Sequence, residues 1–302
     1  MNAAILLSPA AALLLSPLLY GIIHRTRAVF AGRIGPPLLQ GYFDLFRLLH
    51  KAPVYSTTTS WIFRAAPPLV FGATLAATCF VPVIPAASID IGAADLILLL
   101  YLLAFARFFL ILFALDTGSA FEGMGASREA FFSALAEPVL LLCLLNALRA
   151  HGAGTLAAAL CSPAAVDPVT TVLTAVALFG ILLAENARIP FDDPATHLEL
   201  TMIHEVMILD NSGPGLALLE YAAAIKLWLF SLLLGTILLP PLSGAWRIIV
   251  LGGLVVIIAI TVGTVESIKA RVRLVKIPHL LFSAGVVALM GFFISVTGAL
   301  SR

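Results

Sequence analysis

The sequence predicts an all-α fold: a polytopic integral membrane protein with eight transmembrane helices and an amphipathic helix on the cytoplasmic side. Three observations carry this. Apolar residues are 61% of the chain and charged residues 11%, against roughly 45–50% and roughly 25% in soluble domains. Mean hydropathy is +1.10, too high for a water-facing surface. The apolar residues also fall into runs of about 20, the length of helix that crosses roughly 30 Å of hydrocarbon.

Eight such runs are read, at 3–23, 62–84, 94–115, 129–148, 168–186, 214–239, 246–267 and 279–300. All are expected to be helices, because lipid offers no partner to a free backbone group. The first run has no positive residue before it and is followed by His24, Arg25 and Arg27. It reads as a retained span rather than a secretory signal, kinked by Pro9 and Pro17. Residues 1–302 read as one membrane domain without a convincing internal repeat.

Lysine and arginine set the orientation. Twelve of them follow spans one, three, five and seven, and three (Arg149, Arg247, Arg302) lie opposite. The richer side is expected in the cytoplasm, which puts both termini on the non-cytoplasmic side of a bacterial or archaeal cytoplasmic (inner) membrane. In the segment 36–51, Leu38, Leu39, Tyr42, Leu45, Phe46 and Leu49 share one helical face. Gln40, Asp44, Arg47 and Lys51 share the other. This predicts an amphipathic helix in the membrane surface, serving as an anchor, a cavity roof or a docking element.

Cys79, Cys143 and Cys161 form no C-x-x-C and lie in or beside apolar runs, as small buried hydrophobes do. They exclude a local four-thiolate iron–sulfur cluster and a four-cysteine zinc site. Dinucleotide and phosphate-loop glycine fingerprints are also missing from the sequence. No cofactor is therefore expected in this chain, and any metal centre would belong to a partner.

The chain nonetheless carries ionisable groups inside its spans. Arg107 lies mid-span three, Glu137 mid-span four, and Lys226 mid-span six with Glu220 before it. Glu185 closes span five, Glu266 closes span seven, and Glu122 precedes span four. A charge at a span centre costs about 2.5–3.5 kcal/mol. Such groups either form packing pairs or line a hydrated proton or ion path.

One further stretch departs from the apolar background. Residues 185–210 hold six of sixteen carboxylates (Glu185, Asp192, Asp193, Glu199, Glu205, Asp210) and two of six histidines, His197 and His204. Pro190 and Pro194 end span five, and Asp193 is placed to cap a new helix over HLELTMIHEVMIL. The region 187–213 reads as an acidic cytoplasmic loop and helix. His204-Glu205 lacks the second histidine of a zinc-protease motif, so no metal site is expected. A solvated loop and a proton-handling loop both remain open, since histidine titrates near neutral pH.

Two stretches, GRIGPPLLQGYFDLFRLLHK and ENARIPFDDPATHLELTMIHEVMILDNSGPGLALLEYAAAIKL, carry a family resemblance, together with LDTGSAFEGMGASREAFFSALAEP. The sequence resembles the membrane subunit of group 4 NiFe hydrogenases, of the formate hydrogenlyase subunit 4 or hydrogenase-4 component C type. It is more distantly similar to the H subunit of respiratory complex I. The resemblance implies a non-catalytic anchor and coupling subunit of a hydrogenase-type redox complex, linking electron transfer in a peripheral arm to proton or sodium translocation. It implies partners: hydrogenase-like large and small subunits, an iron–sulfur protein and antiporter-like membrane subunits, with the iron–sulfur clusters and NiFe centre held there. Lipid is the surrounding medium, and nucleic acid is not expected.

The resemblance also implies residue roles. Arg25, Gly32, Arg33, Gly35, Pro36 and Pro37 would face the peripheral arm, with Arg188. Glu137, Glu185, Asp192, Glu199 and Glu205 would link redox events to ion movement. With Glu122, Asp193, His197, His204, Glu220, Lys226 and Arg107 they form the expected proton path. The histidines in THLELTMIHE depart from the more carboxylate-rich loop of the complex I subunit. The alternatives are a quinone-binding subunit of a complex I-type oxidoreductase and a stand-alone secondary transporter.

Overall fold

The computed structural model describes residues 3–84, 92, 94–161, 167–192, 202–240, 242 and 244–300. Their regular structure is helical throughout: α1 Leu7–Phe30, α2 Gln40–Leu49, α3 Trp61–Ala77, α4 Ala94–Asp116, α5 Ala120–Ala150, α6 Leu156–Cys161, α7 Pro168–Glu185, α8 His204–Met207, α9 Gly213–Leu238, α10 Ala245–Ile268 and α11 Ile277–Leu300. Among the described residues, eight helical segments are long and apolar enough to span a membrane. The all-α, multi-pass expectation holds.

Local chemistry fixes the helix ends. Ser60 caps α3 by accepting from the Ile62 amide, and Asp116 accepts from the Ser60 and Phe63 amides at 2.8 and 3.2 Å. Asp167 caps α7, with Pro168 as its first helical residue. The fourth span begins nine residues earlier than the apolar run, at Ala120, because the polar stretch from Glu122 to Glu129 continues as helix.

Helix α9 is the centre of the bundle. Of its most apolar 18-residue stretch 72% is buried, against 17% for the last span. Around α9 pack α1, α2, α3, α7 and α10. Helix α4 lies on α3 and α5, and α11 on α5 and α7. Pro17 lies inside α1, so the Leu13 carbonyl loses its usual helical donor. The Tyr221 hydroxyl of α9 donates to that carbonyl at 2.5 Å, which turns a helix defect into a cross-link.

Helix α2 has no fully buried residue. It lies across α1, where the Tyr42 hydroxyl donates to the Leu14 carbonyl. The approach requires two glycines. A Cβ on Gly21 would stand 2.1 Å from the Leu38 carbonyl oxygen, and one on Gly41 would stand 3.1 Å from that of Pro17.

The helix expected over HLELTMIHEVMIL is corrected where it can be seen. Met202 and Ile203 are not helical, and α8 is a single turn. Asp192 Oδ2 accepts from the amides of Ile203 and His204 at 2.9 and 3.2 Å, and Arg128 donates to the Met202 carbonyl. These side chains satisfy the backbone that a longer helix would have satisfied. Asp193, His197 and Glu199 lie outside the described residues.

The contact at Gly21 gives a stability test. Gly21→Val is expected to cost about 1–3 kcal/mol through overpacking and to lower Tm in detergent. Gly72→Ala, where a Cβ meets nothing within 4 Å, is expected to leave Tm unchanged or raised. Equal Tm values for the two variants would contradict the packing of the 31–39 connection on α1.

Candidate functional site

Beneath α2 lies a cavity of about 490 Å³. Apolar groups from α1, α3, α4 and α9 form part of its wall, among them Tyr20, Val70, Leu103 and Leu219. Ionisable groups line it too, among them Asp44, Arg107, Glu129, Glu185, Arg188, Asp192, His204, Glu205, Glu220 and Lys226. Six helices and the loop after α7 thus bring their charges to one volume.

Its inner end is built on Arg107 of α4, which is 8% exposed. Arg107 Nη2 donates to both Glu185 carboxylate oxygens at 2.7 Å. Its Nη1 pairs with Glu137, and its Nε lies 3.5 Å from Glu129. Lys226 Nζ from α9 adds a second cation on Glu185 at 2.8 Å. Two cations thus face three carboxylates drawn from α5 and α7. Such a group resists separation, because removing one partner strands a buried charge at a cost of about 3–5 kcal/mol.

Glu137 stands apart from its neighbours in one respect. Its side chain is 46% exposed, whereas that of Glu185 is 2% exposed. Arg107 therefore touches both the cavity and the outer surface of α5.

A second network anchors the loop after α7, which forms part of the cavity wall. The Arg188 guanidinium lies 4.6 Å from the Tyr20 ring centroid and 3.4 Å from Glu266. Glu266 also pairs with Arg27 at 3.4 Å, and Arg271 pairs with Asp192 at 3.1 Å. The Val272 amide donates to the Pro190 carbonyl, across a cis Ile189–Pro190 bond. Helices α1 and α10 and the linker after α10 thus hold residues 188–192 in place.

The sequence-derived candidates separate into groups. Arg107, Glu137, Glu185 and Lys226 form one contact cluster. Asp192, His204, Glu205 and Glu220 line the same cavity, with Glu205 and Glu220 making no ion pair among the described residues. Glu122 is buried elsewhere. Its Oε1 accepts from the Asp210 amide at 3.0 Å, so it pins the start of α9 rather than joining the cavity. Arg25, Arg33, Pro36 and Pro37 are exposed and Gly35 is partly buried, but Arg188 is 4% exposed and turned inward.

Glu129 and Arg271 enter the site without having been among its candidates, and Glu266, noted as closing span seven, enters it through Arg188 and Arg27. Glu129 is seven residues after Glu122, hence on the same helical face, and that spacing could have found it. Among the described residues no group of His, Cys, Asp and Glu is arranged to hold a metal ion.

His204 lies outside the membrane spans. Burial pushes its imidazole below the ordinary value of 6.5. Lys226 and Arg188 act in the same direction, and Glu205 and Asp192 oppose it. The fold therefore holds the neutral ring. Its contribution to stability is complete above about pH 6.5 and is lost as pH falls below that value, where the unfolded ring takes a proton. His204→Gln is expected to flatten the decline of Tm between about pH 7 and about pH 5. An equally steep decline in the variant would contradict a neutral, buried His204.

Residues 2–297 match the family described as NADH dehydrogenase. The chain is 36% identical over 231 residues to hydrogenase-4 component C of Escherichia coli (strain K12), covering 76% of this chain and 72% of that protein. It is 31% identical over 290 residues to formate hydrogenlyase subunit 4 of the same organism, covering 92% and 93%. Its fold matches a chain in the structure of the membrane-bound sulfane sulfur reductase (MBS), an archaeal respiratory membrane complex. The TM-score there is 0.83 at 21% sequence identity, over 97% of this chain and 98% of that one. With its eight candidate spans and a match along almost its whole length, this chain is a multi-pass membrane protein that belongs to the NADH dehydrogenase family.

Proposed function

We propose that this chain is the membrane anchor and coupling subunit of a complex I-like, hydrogenase-type redox complex. The observation that carries this reading is the Arg107 cluster at the inner end of a cavity whose wall includes the loop after α7. Two relatives named as hydrogenase and formate hydrogenlyase components support the type of complex.

The chemistry follows from charge count. Three carboxylates around two cations leave one negative charge unmatched, and an unmatched buried charge is costly. The cluster therefore lowers its energy by holding one proton, and releases it when the local field changes. Electron transfer in a docked partner supplies that change of field. The loop residues His204 and Glu205 and the cavity-facing Glu220 carry protons inward. Lys226, Glu185, Arg107 and Glu129 set the balance, and Glu137 gives the proton up at the outer surface of α5. A half-exposed carboxylate on a membrane helix is expensive against lipid, which supports a neighbouring membrane subunit, of antiporter-like type, covering Glu137.

The exposed Arg25, Arg33, Pro36 and Pro37 form the docking face for the hydrogenase-like subunits and iron–sulfur protein. In this orientation both termini lie on the non-cytoplasmic side, as the lysine and arginine distribution requires. A reporter fused after Arg302 that is active only in the non-cytoplasmic compartment is the expected result, and cytoplasmic activity would reverse the assignment.

A second reading is favoured by the cavity itself. Its volume of about 490 Å³ and its partly apolar wall suit a quinone ring, as in the complex I-type alternative. The two readings are tested together in the intact complex. Under the coupling reading, Glu137→Gln lowers protons moved per electron severalfold while the complex still assembles and transfers electrons. An unchanged ratio would overturn it. Protection of Glu220 from carbodiimide by a quinone analogue would support the second reading.

A further inference from the structure

The far half of the bundle, away from the charged cavity, holds a second polar feature. Asn146 of α5 is fully buried. Its Nδ2 donates to the Ala288 carbonyl of α11 at 2.9 Å, and its Oδ1 has no partner among the described residues. Thr174 of α7 is 2% exposed, and its Oγ1 is likewise unpartnered. Gly291 brings α11 against both, since a Cβ there would stand 3.4 Å from Asn146 Nδ2 and 3.5 Å from Thr174 Oγ1. Asn146 and Thr174 line a pocket of about 10 Å³, which Thr170, Thr171 and His151 continue.

Buried polar atoms in native proteins are almost always hydrogen-bonded, to protein or to ordered water. A volume of about 10–15 Å³ holds one water, provided it has two or more polar partners. Two orphan oxygens beside one pocket of that size meet both conditions.

Between this pocket and the Arg107 cluster, α5 and α7 are apolar. Asn146 is nine residues from Glu137 and Thr174 eleven from Glu185, so roughly 13–16 Å of helix separate them. Along α5 that interval buries Leu140, Cys143 and Leu144, and along α7 it buries Leu178, Ile181 and Leu182. All belong to one packed cluster. Proton transfer needs hydrogen-bonded groups within about 3 Å, and these side chains supply none. On α9, Ser231 lies five residues past Lys226, and its buried hydroxyl has no partner among the described residues, so it continues no hydrogen-bonded chain.

We propose that Asn146 and Thr174 bind one water molecule in the far half of the membrane, and that the apolar layer on α5 and α7 is an insulating septum. The septum keeps this water from exchanging protons with the Arg107 cluster. This rests on the reading that the cluster exchanges protons, and it adds that the chain offers them no straight route across. The proton that enters the cavity leaves by the side.

The test uses the complete complex in liposomes, with no electron donor, under an imposed pH gradient. Wild type is expected to be tight. Leu144→Asn with Leu178→Asn is expected to raise passive proton conductance severalfold, and adding Asn146→Leu is expected to abolish the increase. A tight double variant, or a leak that survives Asn146→Leu, would overturn the proposal.

Thr174→Val provides a second measurement that does not depend on the septum variants folding. If the pocket holds water, losing the hydroxyl lowers Tm by a few degrees. If it is dry, removing an unpartnered hydroxyl raises Tm, and the water site is refuted. Leak is read without turnover, so failure of the septum is distinguishable from failure of coupled pumping.

Discussion

Arginine keeps its proton in proteins, so a guanidinium carried into a membrane bundle has to be matched by acids where it stands. Arg107 sits in α4 with 8% exposure, and that requirement organises its neighbours. The matching groups come from α5 and α7, which must approach α4 closely enough for contacts of 2.7–3.5 Å. Lys226 then brings α9, the most buried helix, to the same point. An apolar bundle of lipid-like side chains has many near-equivalent packings. The charged cluster selects one, because every other arrangement strands a charge in hydrocarbon.

The cavity follows from this arrangement. Helices that meet at a charged point cannot pack flush along their full length, and the space that remains opens under α2. Backbone details keep it open and roofed. Gly21 and Gly41 admit the connection and α2 against α1, while Pro17 leaves a carbonyl for Tyr221. On the opposite wall Arg188, Asp192, Glu266 and Arg271 tie the loop after α7 to α1, α10 and the following linker. The loop is thus part of the cavity and is electrically connected to it, so a charge that changes near the loop alters the field at Glu205, Lys226 and Glu185.

Much of this was legible in the sequence, and the limits have physical causes. Span positions follow from hydropathy, because lipid imposes one length and one secondary structure. Arg107, Glu137 and Lys226 stand out because mid-span charge is expensive, and Glu185 because it closes a span and opens the acidic stretch. Pairing did not stand out. Nothing in the periodicity of α4 says that Arg107 faces α5 and α7 together, since partner choice is decided by packing between helices distant in sequence. Glu129 was hidden by a boundary effect: the polar start of α5 masks where the helix begins. Glu122 shows the converse error, a buried acid whose carboxylate binds the Asp210 amide in the turn before α9 and stays out of the cavity. Arg188 lies in the same motif as Glu185 and Asp192, yet it is buried with its guanidinium over the Tyr20 ring.

In the proposed coupling, the carboxylates around Arg107 change protonation when electrons pass through a bound partner. Redox-triggered infrared difference spectroscopy on the intact complex measures this directly, in the carboxylic C=O region. A band that shifts in D₂O and is lost on replacing one of Glu129, Glu137 or Glu185 by glutamine is expected. A difference spectrum with no carboxylic band, or with one that survives all three replacements, would contradict it.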